Sequence, residues 1–167
     1  MKKFSTFLII CLFLSSCGIH QINSKYFKWN EEIDFMVVGF FNVKMTEGQE
    51  NNKNVTYIAR KNSRFKRASF RFKNNTNQPL DINFENLFLL DKFNRKYPTR
   101  VAGQAYKGYS NDVFELQRPI KANEEALFLL EFFPAFPKDE VITKIAIDTS
   151  DSETLSENAR IISLVTE

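Results

Sequence analysis

The chemistry available to this chain is limited first by where its histidine and cysteines lie. His20 is the only histidine, and both cysteines, Cys11 and Cys17, lie upstream of it. A hydrolytic triad needs a base held against a nucleophile so that it can take the nucleophile's proton. No residue after His20 supplies an imidazole or a thiol, so structural zinc is excluded there as well. Carboxylates are plentiful but badly spaced for acid–base work. Glu31-Glu32, Glu124-Glu125 and Asp139-Glu140 are sequence neighbours, and neighbours on a strand point to opposite faces. A glycosidase-like pair must converge across a substrate. Calcium needs several clustered oxygens; Asp148-Thr149-Ser150-Asp151 is the one candidate, and a polar turn is the better reading. The expectation is a protein that is not an enzyme and has no cofactor and no metal. A Ser–Lys or dyad-type hydrolase of the cell envelope is the alternative, and an inhibitor-type domain is a third.

Three groups of residues point to binding. Arg60, Lys61, Arg64, Lys66, Arg67, Arg71 and Lys73 fall within one short span. Alternation sets Arg67, Arg71 and Lys73 on one face of a strand and Ala68, Phe70 and Phe72 on the other. A basic face of that kind suits a polyanion such as an anionic lipid, a glycan or an acidic protein. The competing reading, which is preferred, is a solvated strand face whose charges block edge pairing. Phe132-Phe133-Pro134-Ala135-Phe136-Pro137 could form an exposed docking patch carried by Phe136, although closing the bottom of the core is the favoured role. Tyr106 and Tyr109 stand in a glycine-containing loop and are candidate partner contacts.

The first eighteen residues say where the chain goes. Lys2 and Lys3 precede an apolar run from Phe4 to Leu14. About 11 residues are too few to cross a hydrocarbon core but fit the apolar region of a cleaved signal peptide. Leu14-Ser15-Ser16-Cys17 is similar to the lipobox of bacterial lipoproteins, in which the cysteine takes a diacylglycerol and becomes the mature N-terminus. Gly18 rather than Asp after the cysteine resembles the sorting signal for the outer membrane. The expected organisation is a signal peptide over residues 1–16, a lipidated N-terminus and tether over 17–30, and a domain over 31–167. The expected partners are the membrane, through the lipid, and another envelope protein or an anionic envelope polymer.

Composition fits one domain of about 150 residues. The signal carries two of the 23 basic residues and none of the 20 acidic ones, leaving the mature chain at a formal +1. That balance argues for no nucleic-acid partner. With Cys11 removed and Cys17 alkylated, no disulfide is available, so an apolar core must supply the stability. The 18 Phe, mostly in the mature part, provide it.

From Ile33 onward the pattern is β. Ile33 to Met45 reads as one long strand bulged at Gly39. Thr46 to Asn54 reads as a polar loop, followed by strands at Val55 to Ala59 and Phe65 to Lys73. Asn74 to Pro79 is a turn. Short strands follow at Leu80 to Phe84 and Leu87 to Leu90. Pro98 to Asn111 reads as a long loop, and strands at Val113 to Leu116, Ala126 to Phe133 and Val141 to Asp148 follow. Ala159 to Val165 adds a strand or a short helix. About 7–8 short strands without a long helical period predict an all-β, antiparallel β-sandwich.

Two segments resemble lipid-anchored or secreted bacterial immunoglobulin-like domains of unknown function. The first runs from Phe70 to Leu80, then Leu87-Phe88-Leu89-Leu90-Asp91 and Asn94-Arg95-Lys96-Tyr97. The second is Leu116 to Pro134, where Ala122-Asn123-Glu124 stands in place of Pro-Gly-Glu. Asn94 takes a place usually held by glycine, and Asn tolerates the left-handed region. The resemblance spans roughly residues 33–150 and implies an immunoglobulin-like sandwich with no catalytic residues.

Overall fold

The computed structural model describes residues 20–21, 25–51, 53–105, 113–150 and 152–164. In chain order the strands are β1 (His20–Gln21), β2 (Phe27–Lys28), β3 (Ile33–Val43), β4 (Met45–Glu50), β5 (Lys53–Ile58), β6 (Ser63–Asn74), β7 (Leu80–Asn83), β8 (Leu87–Leu90), β9 (Lys96–Gln104), β10 (Gln117–Ile120), β11 (Glu125–Pro137), β12 (Lys144–Ile147) and β13 (Arg160–Ser163). A single 3-10 turn, Phe84–Asn86, separates β7 from β8. All the pairings are antiparallel.

The main sheet of the sandwich passes through both layers, and β7 with β10 and β4 with β5 form two further two-stranded sheets. The order of the main sheet is β1-β3-β6-β11-β9-β8-β12-β13, with β2 also on β3. β9 makes the turn between layers. Its first part pairs with β8, ending at Phe88↔Pro98. Its second part pairs with β11, from Phe132↔Thr99 to Phe128↔Gln104. Pro98 cannot donate to a ladder, and it stands where one partner strand is exchanged for the next. Pro98 and Gly103 made this stretch read as a loop in the sequence; the structure corrects it to a nine-residue strand.

Alternation builds the core. Ile33, Phe35 and Val37 of β3, Ala68, Phe70 and Phe72 of β6, and Phe128 and Leu130 of β11 are all fully buried. Ile82, Phe84, Leu87, Leu89 and Ile145 meet them from the second layer. Each buried Phe contributes about 1.5–3 kcal/mol relative to exposure, and the rings also pack on one another, as in Phe84 edge-on to Phe128 at 5.0 Å. A register shift between Val37 and Gly39 places the expected bulge in β3.

Other expectations are corrected. Thr46 to Asn54 is mostly strand: β4 and β5 form a hairpin in register from Met45↔Ile58 to Glu50↔Lys53. Val113 and Phe114 lie in a turn, and the strand there starts later, at Gln117. Parts of the expected tether join the sheet, with His20↔Phe40 and Phe27↔Phe35 paired across β3. Trp29 closes the end of the core beside Ile33 and Phe35, edge-on to Phe72 at 5.6 Å. Asn94 and Asn123 do adopt left-handed backbone, at φ 61° and 55°.

Candidate functional site

The β4–β5 hairpin projects from the large sheet, and two contacts fix it. Thr46 is buried and its hydroxyl donates to the Glu131 carboxylate. Tyr57 packs on Phe133 at 5.0 Å, and Phe133 stacks on Phe65 at 5.7 Å. Gly48 lies across from this stack, where a Cβ would overlap the Tyr57 ring. Glycine is therefore required here by close approach rather than by backbone conformation.

A hollow opens on each side of the hairpin. The larger, of about 710 Å³, is lined by Thr46, Gln49, Thr56, Arg67, Val101 and Glu131 among others. The smaller, of about 440 Å³, is bounded by Tyr57, Glu85, Arg100 and Phe133, and Phe114 borders both. At the floor of the larger hollow the Arg67 guanidinium is ion-paired with Glu131. Arg67 Nε is buried and has no hydrogen-bond partner among the described residues. An unpaired buried donor costs about 1–3 kcal/mol, so a ligand oxygen reaching it would gain that contribution.

The basic span seen in the sequence separates into three places. Arg60 and Lys61 are exposed in the loop after the hairpin. Lys66 turns to the core side, on the face of Ala68, Phe70 and Phe72. Its ammonium donates to Asn42 Oδ1 at 2.7 Å and to the Glu140 carbonyl at 2.6 Å. Burial pushes its pKa down, against the pull of Glu140 and Asp139. Arg67, Arg71 and Lys73 do share the outer face of β6, opposite the buried Ala68, Phe70 and Phe72. That face is not a free cationic strip. Arg67 is only 28% exposed and bound to Glu131, and Arg71 meets Glu125 at 3.3 Å. Lys73 is cross-strand from both Asp34 and Glu125. Burial of Asp34 raises its pKa, but hydrogen bonds from Lys28 and Asn75 and the charges of Lys28 and Lys73 outweigh that and lower it.

Phe136 is corrected from docking residue to core residue. It is fully buried and stacks on Tyr97 with ring centres 3.7 Å apart. The pairing of β11 with β6 shifts register between Phe132 and Phe136, and the Phe133-Pro134 bond within that shift is cis. Tyr106, Tyr109 and Cys17 lie outside the described residues. The Asp148 carboxylate is engaged within the chain, Oδ2 by an ammonium and Oδ1 by the Ser150 N–H and the Ser156 hydroxyl. Lys96 Nζ donates to Asp148 Oδ2 at 3.1 Å, to the Ser150 carbonyl at 3.0 Å and to the Ser152 carbonyl at 2.9 Å. The Phe88 ring lies 4.1 Å below it. Burial would raise the Asp148 pKa, but hydrogen bonds from Ser156, Ser150 and Lys96 outweigh it and hold the carboxyl well below its ordinary range. Among the described residues there is no cluster of three His, Cys, Asp or Glu able to hold a metal, and no helix is long and apolar enough to cross a membrane.

Sequence reasoning missed the hairpin and, with it, Thr46 and Glu131. The alternation of Thr46 and Gly48 was a signal, but these inward residues are too small and polar to read as a buried face.

No family model matches the chain, and no curated protein matches it. Solved structures with a similar fold include an uncharacterized β-sandwich protein from Clostridium difficile, 11% identical over 87% of this chain and 93% of that one, with a TM-score of 0.49. A conserved hypothetical protein from Bacillus anthracis is 16% identical over 76% of this chain and 87% of that one, at 0.46. A secreted protein from Mycobacterium tuberculosis is 9% identical over 83% of this chain and 92% of that one, at 0.42.

Proposed function

We propose that this protein is a lipid-anchored envelope lipoprotein whose β-sandwich is a non-catalytic binding or assembly module, with its contact surface at the projecting hairpin. The anchor reading rests on Lys2-Lys3, the short apolar run and Leu14-Ser15-Ser16-Cys17; Gly18 supports the outer membrane as the destination. The observation that carries the binding role is the hairpin-walled hollow of about 710 Å³, with Arg67 Nε unpartnered at its floor. Open hollows with a few convergent polar groups are where proteins receive ligands and partner segments. The Arg67–Glu131 pair favours recognition: the arginine holds the carboxylate, and the free Nε fits a carbonyl or carboxylate oxygen from outside.

Crosslinking in native membranes tests this. A photo-reactive residue at Gln49 should give a discrete crosslinked species. The same probe at Lys121, in the turn beside Asn74 at the other end of β6, should give none. Equal labelling from both positions, or none from Gln49, would overturn the reading. A hydrolytic activity abolished by Glu131→Gln would replace it with the enzymatic alternative.

A further inference from the structure

The base of the hairpin carries an exposed apolar pair flanked in the chain by unpaired cations. Met45 and Ile58 are cross-strand partners and are 56% and 66% exposed. The Ala59 N–H donates to the Lys44 carbonyl at 2.8 Å, closing the hairpin beside them. Lys44 precedes Met45 in the chain, Arg60 and Lys61 follow Ile58 and Ala59, and all three are exposed. None of them takes part in the ion pairs among the described residues. Ser63 N–H donates to the Arg60 carbonyl at 3.0 Å, so the two cations sit on a tight turn. Of the hairpin's carboxylates, Glu47 shares the exposed face of Met45 two residues along β4, and Glu50 lies at the tip. Asp139 flanks the loop from the other side, where the Lys138 N–H reaches the Asn62 carbonyl at 2.9 Å.

The chain enters the domain at this same end. β1 runs antiparallel to β3 with His20 opposite Phe40, so the N-terminal end of β1 is directed toward the Val43 end of β3, where the hairpin begins. Cys17 is three residues upstream, which allows it at most about 11 Å from His20. Lys44 is four residues past Phe40, about 13 Å along the strand.

We infer that the Met45–Ile58 pair and the cations Lys44, Arg60 and Lys61 form a membrane-contact surface that docks this end of the domain on an anionic phospholipid bilayer. The inference rests on the lipid-anchor reading, which fixes which end lies nearest the bilayer. The apolar pair enters the headgroup boundary, as exposed apolar side chains do at interfaces. The three cations remain at the level of the lipid phosphates, their stems lying along the apolar pair. Met45 and Glu47 also line the larger hollow, so docking brings one lip of that hollow to the membrane, while Glu50 at the tip points away from the negative surface.

Vesicle co-sedimentation of the mature chain carrying Cys17→Ser, and therefore no lipid, separates this contact from the anchor. Partition onto vesicles with about one-third phosphatidylglycerol should exceed that onto pure phosphatidylcholine by roughly a hundredfold, from three surface cations, and should fall steeply with salt. Lys44→Gln/Arg60→Gln/Lys61→Gln should abolish the difference. Met45→Ser/Ile58→Ser should lower partition at least tenfold. Arg71→Gln/Lys73→Gln should leave it unchanged. All these sites are at the surface, and circular dichroism melts confirm that the variants fold. Equal partition onto both vesicle types, unaltered binding by the hairpin-base variants, or an equal loss in the Arg71/Lys73 variant would overturn the inference. The anchor fails separately, if Cys17 of the cell-derived protein carries no acyl chain.

Discussion

Arg67 and Arg71 stand on the same face of one strand, yet they meet different environments. The cross-strand partner of Arg67 is Glu131, and the hairpin covers the pair; Arg71 lies in the open, 41% exposed. Arg71→Gln/Lys73→Gln is therefore expected to change stability by no more than about 0.5 kcal/mol in urea denaturation. Glu131→Ala, which leaves a half-buried guanidinium and Thr46 without their acceptor, should cost about 1–3 kcal/mol. Phe70→Ala, at a fully buried site, should cost about 3–5 kcal/mol. The alternation of β6 made the inward and outward sets legible from the sequence. The charge pairing was not legible, because it depends on register with β3 and β11, and a single chain segment does not encode which carboxylate will lie opposite. Asn74 is a similar case. It reads as a turn residue, but its side-chain amide also donates to the carbonyls of Gln78, Ile120 and Lys121, fastening two turns with one buried group.

At the scale of elements, the strands with large inward side chains were legible and those with small ones were not. β3, β6 and β11 announce themselves through Phe, Val and Leu. β4 was read as a loop because Thr46 and Gly48 carry its inward face, and β9 because Pro98 and Gly103 are turn residues in most contexts. β9 can keep both because Pro98 lies where the strand changes partners. The C-terminal loop is stapled by Lys96 and Asp148, and this predicts an acid sensitivity. A carboxyl held below its ordinary pKa contributes stability that is complete above about pH 4 and is lost as pH falls toward the folded-state value. Asp91 acts with the same sign: burial opposes it, but hydrogen bonds from Arg95 and Phe93 outweigh burial. Thermal melts between pH 6 and pH 2 should therefore show the melting temperature falling most below pH 4. Asp148→Asn should flatten part of that slope while lowering stability at pH 7 by about 3 kcal/mol, because Lys96 stays buried without its counter-charge.

For the molecule as a whole, a main sheet shared by both layers predicts one cooperative unfolding transition. Neither a metal nor a disulfide is needed by any contact described here, and the cation that organises residues 148–156 is a lysine of the chain itself. The domain should therefore melt at the same temperature with and without chelator and reductant, as followed by circular dichroism. Mass spectrometry of protein from membranes should find an acylated Cys17, and Cys17→Ala should accumulate as the precursor. If Cys17 carries the proposed anchor, the pairing of β1 and β2 with β3 has a mechanical consequence. Tension applied through Cys17 reaches the two residues of β1 first, then the two of β2. Short edge pairs of this kind peel one after another under load. Peeling stops at Trp29, whose N–H and ring are tied to Ile33, Phe35 and Phe72 and whose carbonyl receives the Arg160 guanidinium. The released segment, residues 17–28, extends to roughly 40 Å. A pull from a bound partner would thus lengthen the leash before it loaded the core, and the domain would stand off the bilayer still folded.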